Sequence, residues 1–306
     1  IHGCLVGSEM CIRDRTKYDQ LKYVVCFALV SLSSLFSQNG KSYFDCPCPQ
    51  IIAHQGSSLE LPPNTIEAFE LAINQGADII ELDIWQTKDE IWTVIHDENL
   101  SRITGIDISI GDVSLSEIRN FDAGFGFYKD NPSIIRSKNI QYYIPSLEEI
   151  FKKFPKQRIN IEIKDPDASG LKKLIELISR YNMQDNILVV SSHYEVIKKF
   201  RKLTKNKIAT AASRSDIKRM MFWGWVPFYK DKFDAFQLPF YSETIKKYGM
   251  NLPDWIKEKQ KMGLEVHYWT IDNSKDIMHA VSIGANGIIT NKPKVVYDIL
   301  KDIGKR

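Results

Sequence analysis

From residue 51 onward, the chain alternates short apolar segments with longer amphipathic ones. The short segments are rich in Ile, Val and Leu, as in 159–164 and 187–191. The longer segments repeat apolar residues every three or four positions, as in 65–75 and 171–181. Buried parallel strands and amphipathic helices have these two patterns. Because the alternation runs without a linker, repeat or charge run, it predicts one α/β domain over residues 51–306.

The number of strand-like segments indicates which α/β architecture this is. Nine segments have the strand pattern, one more than a (β/α)8 TIM barrel requires. The extra segment lies in residues 79–97, IIELDIWQTKDEIWTVIHD, where the polar turn TKDE is too short to hold a crossover helix. We therefore expect a TIM barrel with a local hairpin. An open doubly wound sheet is the alternative, although no glycine-rich phosphate fingerprint supports it.

Residues 100–143 interrupt the alternation. They are rich in Gly, Asp, Asn and Ser and contain one short helical pattern near 115–120. A loop of this length inside a compact domain is usually functional or carries its own substructure. The sequence thus predicts a small insertion after the strand that ends at His96 and Asp97. A new helix is expected at Ser146, where Glu149 completes a capping box.

Two carboxylates interrupt the first strand of the 79–97 stretch. Glu81 and Asp83 are two positions apart, so they share one face of that strand. Adjacent carboxylates in an apolar strand repel each other and lose solvation unless the face is wet or a cation neutralises them. The strand-like run 91–95 follows, and His96 comes directly after it. The combination favours a metal site with an acid/base group beside it.

Other polar residues end or interrupt predicted strands. They are His54, Glu162, Lys164 and Trp269. In a barrel the carboxyl ends of the strands meet at one mouth, so these side chains should converge with the acidic pair. Carboxylate oxygens favour a hard cation, and the sequence therefore predicts Ca²⁺ or Mg²⁺ as the cofactor.

Composition adds little to this picture. The chain has 306 residues, of which 43% are hydrophobic and 26% charged, as is ordinary for a globular protein. The net charge of +3 is small, the lysines are dispersed and no basic motif with interleaved aromatics is present. These features argue against nucleic acid as a partner.

The N-terminal region has a different pattern. Residues 1–15 lack periodicity and are expected to be a non-native leader or an unstructured end. Residues 16–38 combine a basic start, about fourteen apolar residues and a small-residue exit near Ser37, which is typical of a secretory signal peptide. A membrane span needs roughly 20 residues, so an uncleaved anchor is the alternative. We expect an exported protein with a linker over residues 39–50.

Residues 220–229, MMFWGWVPFY, are unusually apolar for a loop. Such a segment could form a lip for lipid tails and make peripheral membrane contact. The competing interpretation is that the loop itself is buried as a plug.

Several motifs resemble those of the glycerophosphodiester phosphodiesterase family, in that family's order and over essentially the whole domain. They are AHQG (53–56), PPNTIEAF (62–69), GADIIELDIWQTKD (76–89), VIHDENLSRITG (94–105), IPSLEEIF (144–151), NIEIK (160–164), WTID (269–272) and GANGIITNKP (284–293).

The resemblance implies roles for the residues at these positions. Glu81, Asp83 and Glu162 match the family's ligands for a divalent cation, and His54 and His96 match its acid/base pair. It implies hydrolysis of glycerophosphodiesters to sn-glycerol 3-phosphate and an alcohol. One histidine would deprotonate the attacking oxygen and the other would protonate the leaving alcohol, a role for which we favour His96. The first attack could come from the substrate's own 2-hydroxyl, giving a cyclic phosphate that water opens.

The substrate-binding positions include departures from the family pattern. Lys164 matches a lysine near the phosphate, and Trp269 resembles an aromatic against which glycerol packs. Gln55 stands where the family usually has Arg, so it would offer the phosphate neutral hydrogen bonds instead of a charged grip. Pro63 replaces a usual Glu, and Asn291, which replaces a frequent Asp, is interpreted as structural.

Other functions stay open, the first because of the apolar stretch 220–229 and the second because of Gln55 and Pro63. A lysophospholipase D-like enzyme or a wall-polymer phosphodiesterase would use the same chemistry on another substrate. A barrel that binds glycerophosphates without turning them over is the alternative from a different class.

Overall fold

The strands of the computed structural model make up one nine-stranded sheet. The structure describes residues 41–137, 140–167, 169–223, 232–240 and 252–306, and the predicted leader and signal peptide lie outside them. The strands are β1 (Gln50–His54), β2 (Ile79–Gln86), β3 (Trp92–Val94), β4 (Arg158–Ile163), β5 (Ile187–Val190), β6 (Ala209–Thr210), β7 (Ala235–Pro239), β8 (Glu265–Trp269) and β9 (Gly287–Thr290).

Amphipathic helices follow most of these strands, as the apolar spacing predicts. They are α1 (Ile66–Asn74), α2 (Ser101–Thr104), α3 (Leu115–Ile118), α4 (Phe125–Asp130), α5 (Leu147–Lys153), α6 (Leu171–Arg180), α7 (Tyr194–Thr204), α8 (Arg214–Trp223), α9 (Leu252–Lys261), α10 (Ser274–Ser282) and α11 (Pro293–Asp302). The apolar faces of α1, α5, α6, α7, α10 and α11 pack on the outward side chains of the sheet in two large clusters of buried residues.

Eight parallel strands curl into a nearly closed barrel. Their order is β6-β5-β4-β2-β1-β9-β8-β7, and a parallel bridge between Ala211 and Ala235 joins the two ends of that order. An open doubly wound sheet would not bring its edge strands together in this way. The prediction of a TIM barrel is confirmed.

The ninth strand is the local hairpin predicted from the short TKDE turn. β3 pairs antiparallel with β2, with Ile84 opposite Val94. The pairing continues past β3, where the backbone N–H of Ile95 donates to the carbonyl of Asp83 at 2.9 Å. Because of this ladder, the residue after Ile95, His96, is held close to the strand that carries the acidic pair.

The predicted insertion is a small substructure with its own apolar core. It contains α2, α3, α4 and a short 3-10 helix, packed around nine buried residues that include Leu100, Ile110 and Tyr142. The chain returns to the barrel beside β3, where the N–H of Val94 donates to the carbonyl of Pro145. The capping box predicted at Ser146 and Glu149 is present.

Part of the predicted linker belongs to the barrel. A 3-10 helix over Ser42–Phe44 places Tyr43, which is 1% exposed, against interior residues of the strands such as Ile52 and Ala235. Lys41 fastens the segment through a 2.7 Å ion pair with Asp234. These contacts join positions as far as 193 residues apart, which composition cannot reveal. From Lys41 onward the segment closes the amino-terminal end of the barrel.

Replacing Tyr43 with Ala is expected to lower the free energy of unfolding by about 3–5 kcal/mol, the range for removing a large aromatic side chain from a core. Urea unfolding measures this difference. Tyr43→Phe is the matched control, because the Tyr43 hydroxyl is buried without a hydrogen bond among the described residues. Its loss should leave stability unchanged or slightly higher. An unchanged urea midpoint for Tyr43→Ala would contradict the conclusion that Tyr43 is part of the barrel core.

The apolar stretch 220–229 lies mostly outside the described residues. Met220, its first residue, is 3% exposed and packs in the core on one face of the barrel. Membrane contact through this stretch stays a prediction. In the described part of the chain, no helix has the length and apolarity needed to cross a bilayer.

Candidate active site

Strand register brings the predicted acidic residues together at the carboxyl end of the barrel. His54, the last residue of β1, lies beside Glu81 of β2, and Asp83 lies beside Glu162 of β4. Residues two apart on a strand share a face, and the buried Ile52 and Ile79 show that this face is the barrel interior. The convergence expected from the sequence is therefore present for these four side chains.

The three carboxylates form a compact ligand set. One oxygen from each of Glu81, Asp83 and Glu162 lies within 4.8 Å of the others. Glu81 and Asp83 are 4% and 1% exposed, and burial, followed by repulsion from the two other carboxylates, raises the pKa of Glu81 well above its usual value. Such a site is stabilised by a cation, and an all-oxygen set suits a hard divalent ion. These residues fit a divalent cation.

Lys164 supplies a positive charge at the edge of this set. Its Nζ lies 2.9 Å from Oε2 of Glu162 and 3.2 Å from Oδ1 of Asp83. Burial disfavours the ammonium, but the two carboxylates outweigh it and hold the pKa of Lys164 above its usual value. The side chain is 19% exposed, so the charge remains accessible from the mouth. This location fits the predicted contact with a substrate phosphate.

Gln55 makes its hydrogen bonds to the acidic residues. Its backbone N–H donates to Oε2 of Glu81 at 3.0 Å, and its Nε2 donates to Oδ2 of Asp83 at 2.7 Å. The residue is 9% exposed and adopts a φ of +55°, which turns the chain so that both donors face the acidic pair. The sequence predicts that the Gln55 amide hydrogen-bonds to the substrate phosphate. In the structure its amide orients a carboxylate.

Asn64 was not among the residues predicted for the site. Its Nδ2 donates to the same Oδ2 of Asp83 at 3.0 Å, and its Oδ1 accepts from the N–H of Asp83 at 3.3 Å. With Gln55 and Asn64 both on Oδ2, the other oxygen of Asp83 is directed towards Lys164. Asn64 belongs to the family-like motif PPNTIEAF, and that motif could have identified it from the sequence.

His96 is held by a charged neighbour. Its Nδ1 lies 2.7 Å from Oδ1 of Asp97, and Oδ2 of Asp97 accepts from Nε of Arg102 at 2.5 Å. The hydrogen bond with His96, reinforced by Arg102, holds the pKa of Asp97 well below its usual value. Trp85 adds a 2.9 Å hydrogen bond to the His96 carbonyl. The imidazole is 41% exposed, so Nε2 can reach a bound substrate.

His54 is held by a neutral neighbour. Its Nδ1 lies 2.7 Å from Oδ1 of Asn291, which also accepts from the Ser58 hydroxyl at 2.8 Å. Asn291 in turn is hydrogen-bonded to Asp272. The sequence treated Asn291 as structural, whereas it contacts a predicted acid/base residue. Asn291 directly follows β9, so the convergence of strand ends at the mouth of a barrel could have identified it from the sequence.

Trp269 ends β8, and its side chain is 44% exposed. That position at the carboxyl end of a barrel strand is consistent with an aromatic surface for the glycerol group. His267, two residues earlier, is fully buried inside the barrel, and burial lowers its pKa to about 3. A neutral imidazole in that position contributes to the interior of the fold.

Together these groups can polarise and cleave a phosphoester. A cation held by the carboxylates and the Lys164 ammonium would meet the negative charge of a phosphate, and two imidazoles could transfer the protons.

Comparison with known proteins agrees with this geometry. The family model described as "Glycerophosphoryl diester phosphodiesterase family" matches residues 54–295. The chain is 31% identical over 266 residues to the glycerophosphodiester phosphodiesterase of Caldanaerobacter subterraneus subsp. tengcongensis, covering 83% of this chain and 98% of the relative. It is 29% identical over 297 residues to human lysophospholipase D GDPD1, covering 90% of this chain and 93% of the relative.

Solved structures share the barrel. A putative glycerophosphoryl diester phosphodiesterase from Silicibacter pomeroyi superposes with a TM-score of 0.69 at 20% identity, over 84% of this chain and 95% of that one. An Oleispira antarctica phosphodiesterase in complex with the product sn-glycerol-3-phosphate gives a TM-score of 0.66 at 21% identity, over 83% and 97% of the two chains. With its fold, acidic ligand set and family match in agreement, this chain belongs to the glycerophosphoryl diester phosphodiesterase family and is a phosphoric diester hydrolase.

Proposed function

We propose that this enzyme hydrolyses glycerophosphodiesters to sn-glycerol 3-phosphate and an alcohol, with a divalent cation, Ca²⁺ or Mg²⁺, and two histidines. The observation that carries the proposal is the cluster of Glu81, Asp83 and Glu162 within 4.8 Å, with Lys164 bridging two of them. His54 lies on the strand next to Glu81, and His96 follows the hairpin strand next to Asp83.

The charges of the site suit a phosphodiester. Three carboxylates and Lys164 sum to a charge of about −2, which a divalent cation balances, so a monoanionic diester meets no net repulsion. When bound, the cation supplies positive charge to the phosphate oxygens. Lys164 stabilises the additional charge that develops on those oxygens in the transition state.

The different partners of the histidines support different roles. Nδ1 of His96 is anchored to the Asp97 carboxylate, which leaves Nε2 to act as the acid that protonates the leaving alcohol. Asn291 is neutral and gives His54 no comparable charge, which suits the base that takes the proton of the attacking oxygen. That oxygen is the substrate's 2-hydroxyl in the first step. In the second step the roles reverse, because His96 is now neutral and takes the proton of the attacking water, while the protonated His54 returns its proton to the 2-oxygen.

Lysophospholipids are the second candidate substrate class. Ile106 and Phe125 of the insertion are 39% and 43% exposed, and the Phe125 ring lies against Gly105, next to Ile106 in sequence. An exposed apolar surface of this kind could receive an acyl chain. The similarity to a relative named lysophospholipase D supports this reading.

One assay separates the substrates. The purified protein is incubated with glycerophosphocholine or lysophosphatidylcholine, with Mg²⁺ or Ca²⁺ and with excess chelator. We expect glycerol 3-phosphate from the first substrate and a loss of turnover with chelator that added cation restores. A higher kcat/KM for the lysolipid would favour the second candidate. Absence of choline release from both substrates with cation present would overturn the proposal.

A further inference from the structure

Asn291 and Asp272 determine which nitrogen of His54 carries a proton. The two oxygens of a carboxylate can act as hydrogen-bond acceptors, whereas a side-chain amide has a donor end and an acceptor end. Asp272 accepts from the Asn291 backbone N–H at 2.7 Å and from the Thr290 hydroxyl at 3.0 Å through Oδ1. Its Oδ2 accepts from Nδ2 of Asn291 at 2.7 Å. The Asn291 amide therefore has one allowed orientation.

The reversed amide would fail at its Asp272 end. Rotating it by half a turn would place Oδ1 of Asn291 against Oδ2 of Asp272, so that two acceptors would meet at hydrogen-bond distance. The observed orientation instead directs Oδ1 towards His54, where it lies 2.7 Å from Nδ1, and towards Ser58. A carbonyl oxygen has two lone pairs, so it can accept from both donors.

Because Oδ1 can only accept, Nδ1 of His54 must donate. A neutral imidazole has one N–H, so Nε2 is then the unprotonated nitrogen. Among the described residues Nε2 makes no hydrogen bond, and its lone pair is not consumed by the protein.

We infer that Asn291, fixed by Asp272, is a positioning residue that locks His54 in the Nδ1–H tautomer and presents Nε2 as the proton acceptor. The inference deepens the proposed function, and the role of His54 as a base rests on that function. The tautomer itself does not depend on any substrate. Asp272 acts through Asn291 and needs no contact with the substrate.

The tautomer is measured directly by nitrogen NMR. Protein labelled with ¹⁵N-histidine is examined at about pH 8.5, roughly two units above the ordinary imidazole pKa of about 6.5. Comparison with His54→Ala identifies the His54 signals among the six histidines. We expect a pyrrole-like Nδ1 and a pyridine-like Nε2. A pyridine-like Nδ1 in the unaltered protein would overturn the inference.

Asn291→Ala should release the ring. The His54 signals should move towards a mixture of tautomers, and kcat should fall by about 2–10-fold, the factor that one net hydrogen bond contributes. KM should change little because Asn291 is not placed against the substrate. Asn273→Ala is the control: it removes the N-cap of α10 beside Asp272 and lowers stability, but should leave the His54 signals unchanged.

A double exchange provides the rescue. Asn291→Asp alone sets two carboxylates against each other, and Asp272→Asn alone leaves the Asn291 amide facing another amide. The pair Asp272→Asn with Asn291→Asp restores every hydrogen bond, because the new amide donates to the new carboxylate, which still accepts from Nδ1. We expect the double variant to recover the Nδ1–H tautomer. An Asn291→Ala protein that keeps this tautomer in full, or a double variant that fails to recover it while folded, would overturn the inference.

These readouts separate the inference from the proposed function. If the protein turned over no glycerophosphodiester, the function would be rejected while the NMR signals still decided the tautomer. If turnover were normal but His54 showed the opposite tautomer, the positioning role would be rejected and the function retained.

Discussion

Replacing His96 with Ala is expected to lower kcat for glycerophosphocholine by about 10²–10⁴-fold, and His54→Ala should have an effect of the same order. General acid–base catalysis by a positioned side chain contributes a factor of this size. Each imidazole is anchored through Nδ1, to Asp97 or to Asn291, and the Ala side chain that replaces it can neither accept nor donate a proton. Release of choline at saturating cation and substrate measures the effect.

A third histidine provides the control for these substitutions. His279 lies on α10, is exposed and contacts the Phe240 ring, so His279→Ala should leave turnover unchanged. Titration calorimetry with Mg²⁺ or Ca²⁺ should show unchanged cation affinity in His54→Ala and His96→Ala, because neither imidazole belongs to the acidic set. Turnover that survives either substitution would rule out the corresponding role.

Gln55→Ala is expected to weaken divalent-cation binding by about 10–100-fold, the usual effect of removing a group that orients a metal ligand. The Gln55 amide donates to Asp83 at 2.7 Å, and without it one of the two donors on that oxygen is lost. Calorimetry measures the affinity. At saturating cation the KM for substrate should return close to that of the unaltered enzyme.

The same measurements test the alternative in which Gln55 binds the phosphate. In that case KM would stay raised at saturating cation while cation affinity was unchanged. Gln157→Ala is a matched control, since the Gln157 amide donates to the Asp78 carbonyl at the opposite end of the strands. It should change neither quantity.

Much of the site follows from rules that act over short stretches of sequence. Alternation along a strand places Glu81 beside Asp83, and the short TKDE turn implies the hairpin that brings His96 close to them. The convergence of strand ends in a barrel then adds His54 and Glu162. Each step uses a period or a connection length, and both can be read from one sequence.

The remaining features depend on long-range side-chain choices. The Gln55 amide could face a phosphate or Asp83, and the choice depends on backbone torsion and on the space left by neighbouring residues. The link from His54 to Asn291 spans 237 positions and needs Asp272 to orient an amide. Tyr43 likewise fills the barrel through contacts with strands far along the chain. No local pattern carries such information.

The attachment of the insertion has an evolutionary consequence. The chain leaves the barrel just after His96 and returns at Pro145 and Ser146, and both ends are fastened to the same short strand, β3. The entropy of closing a loop between fixed ends grows only slowly with its length. Residues 106–143 could therefore be lengthened, shortened or exchanged between lineages while Arg102, the two anchor points and the histidine beside them kept their positions. This part of the insertion can in this way vary as a module, separately from the bond-breaking machinery.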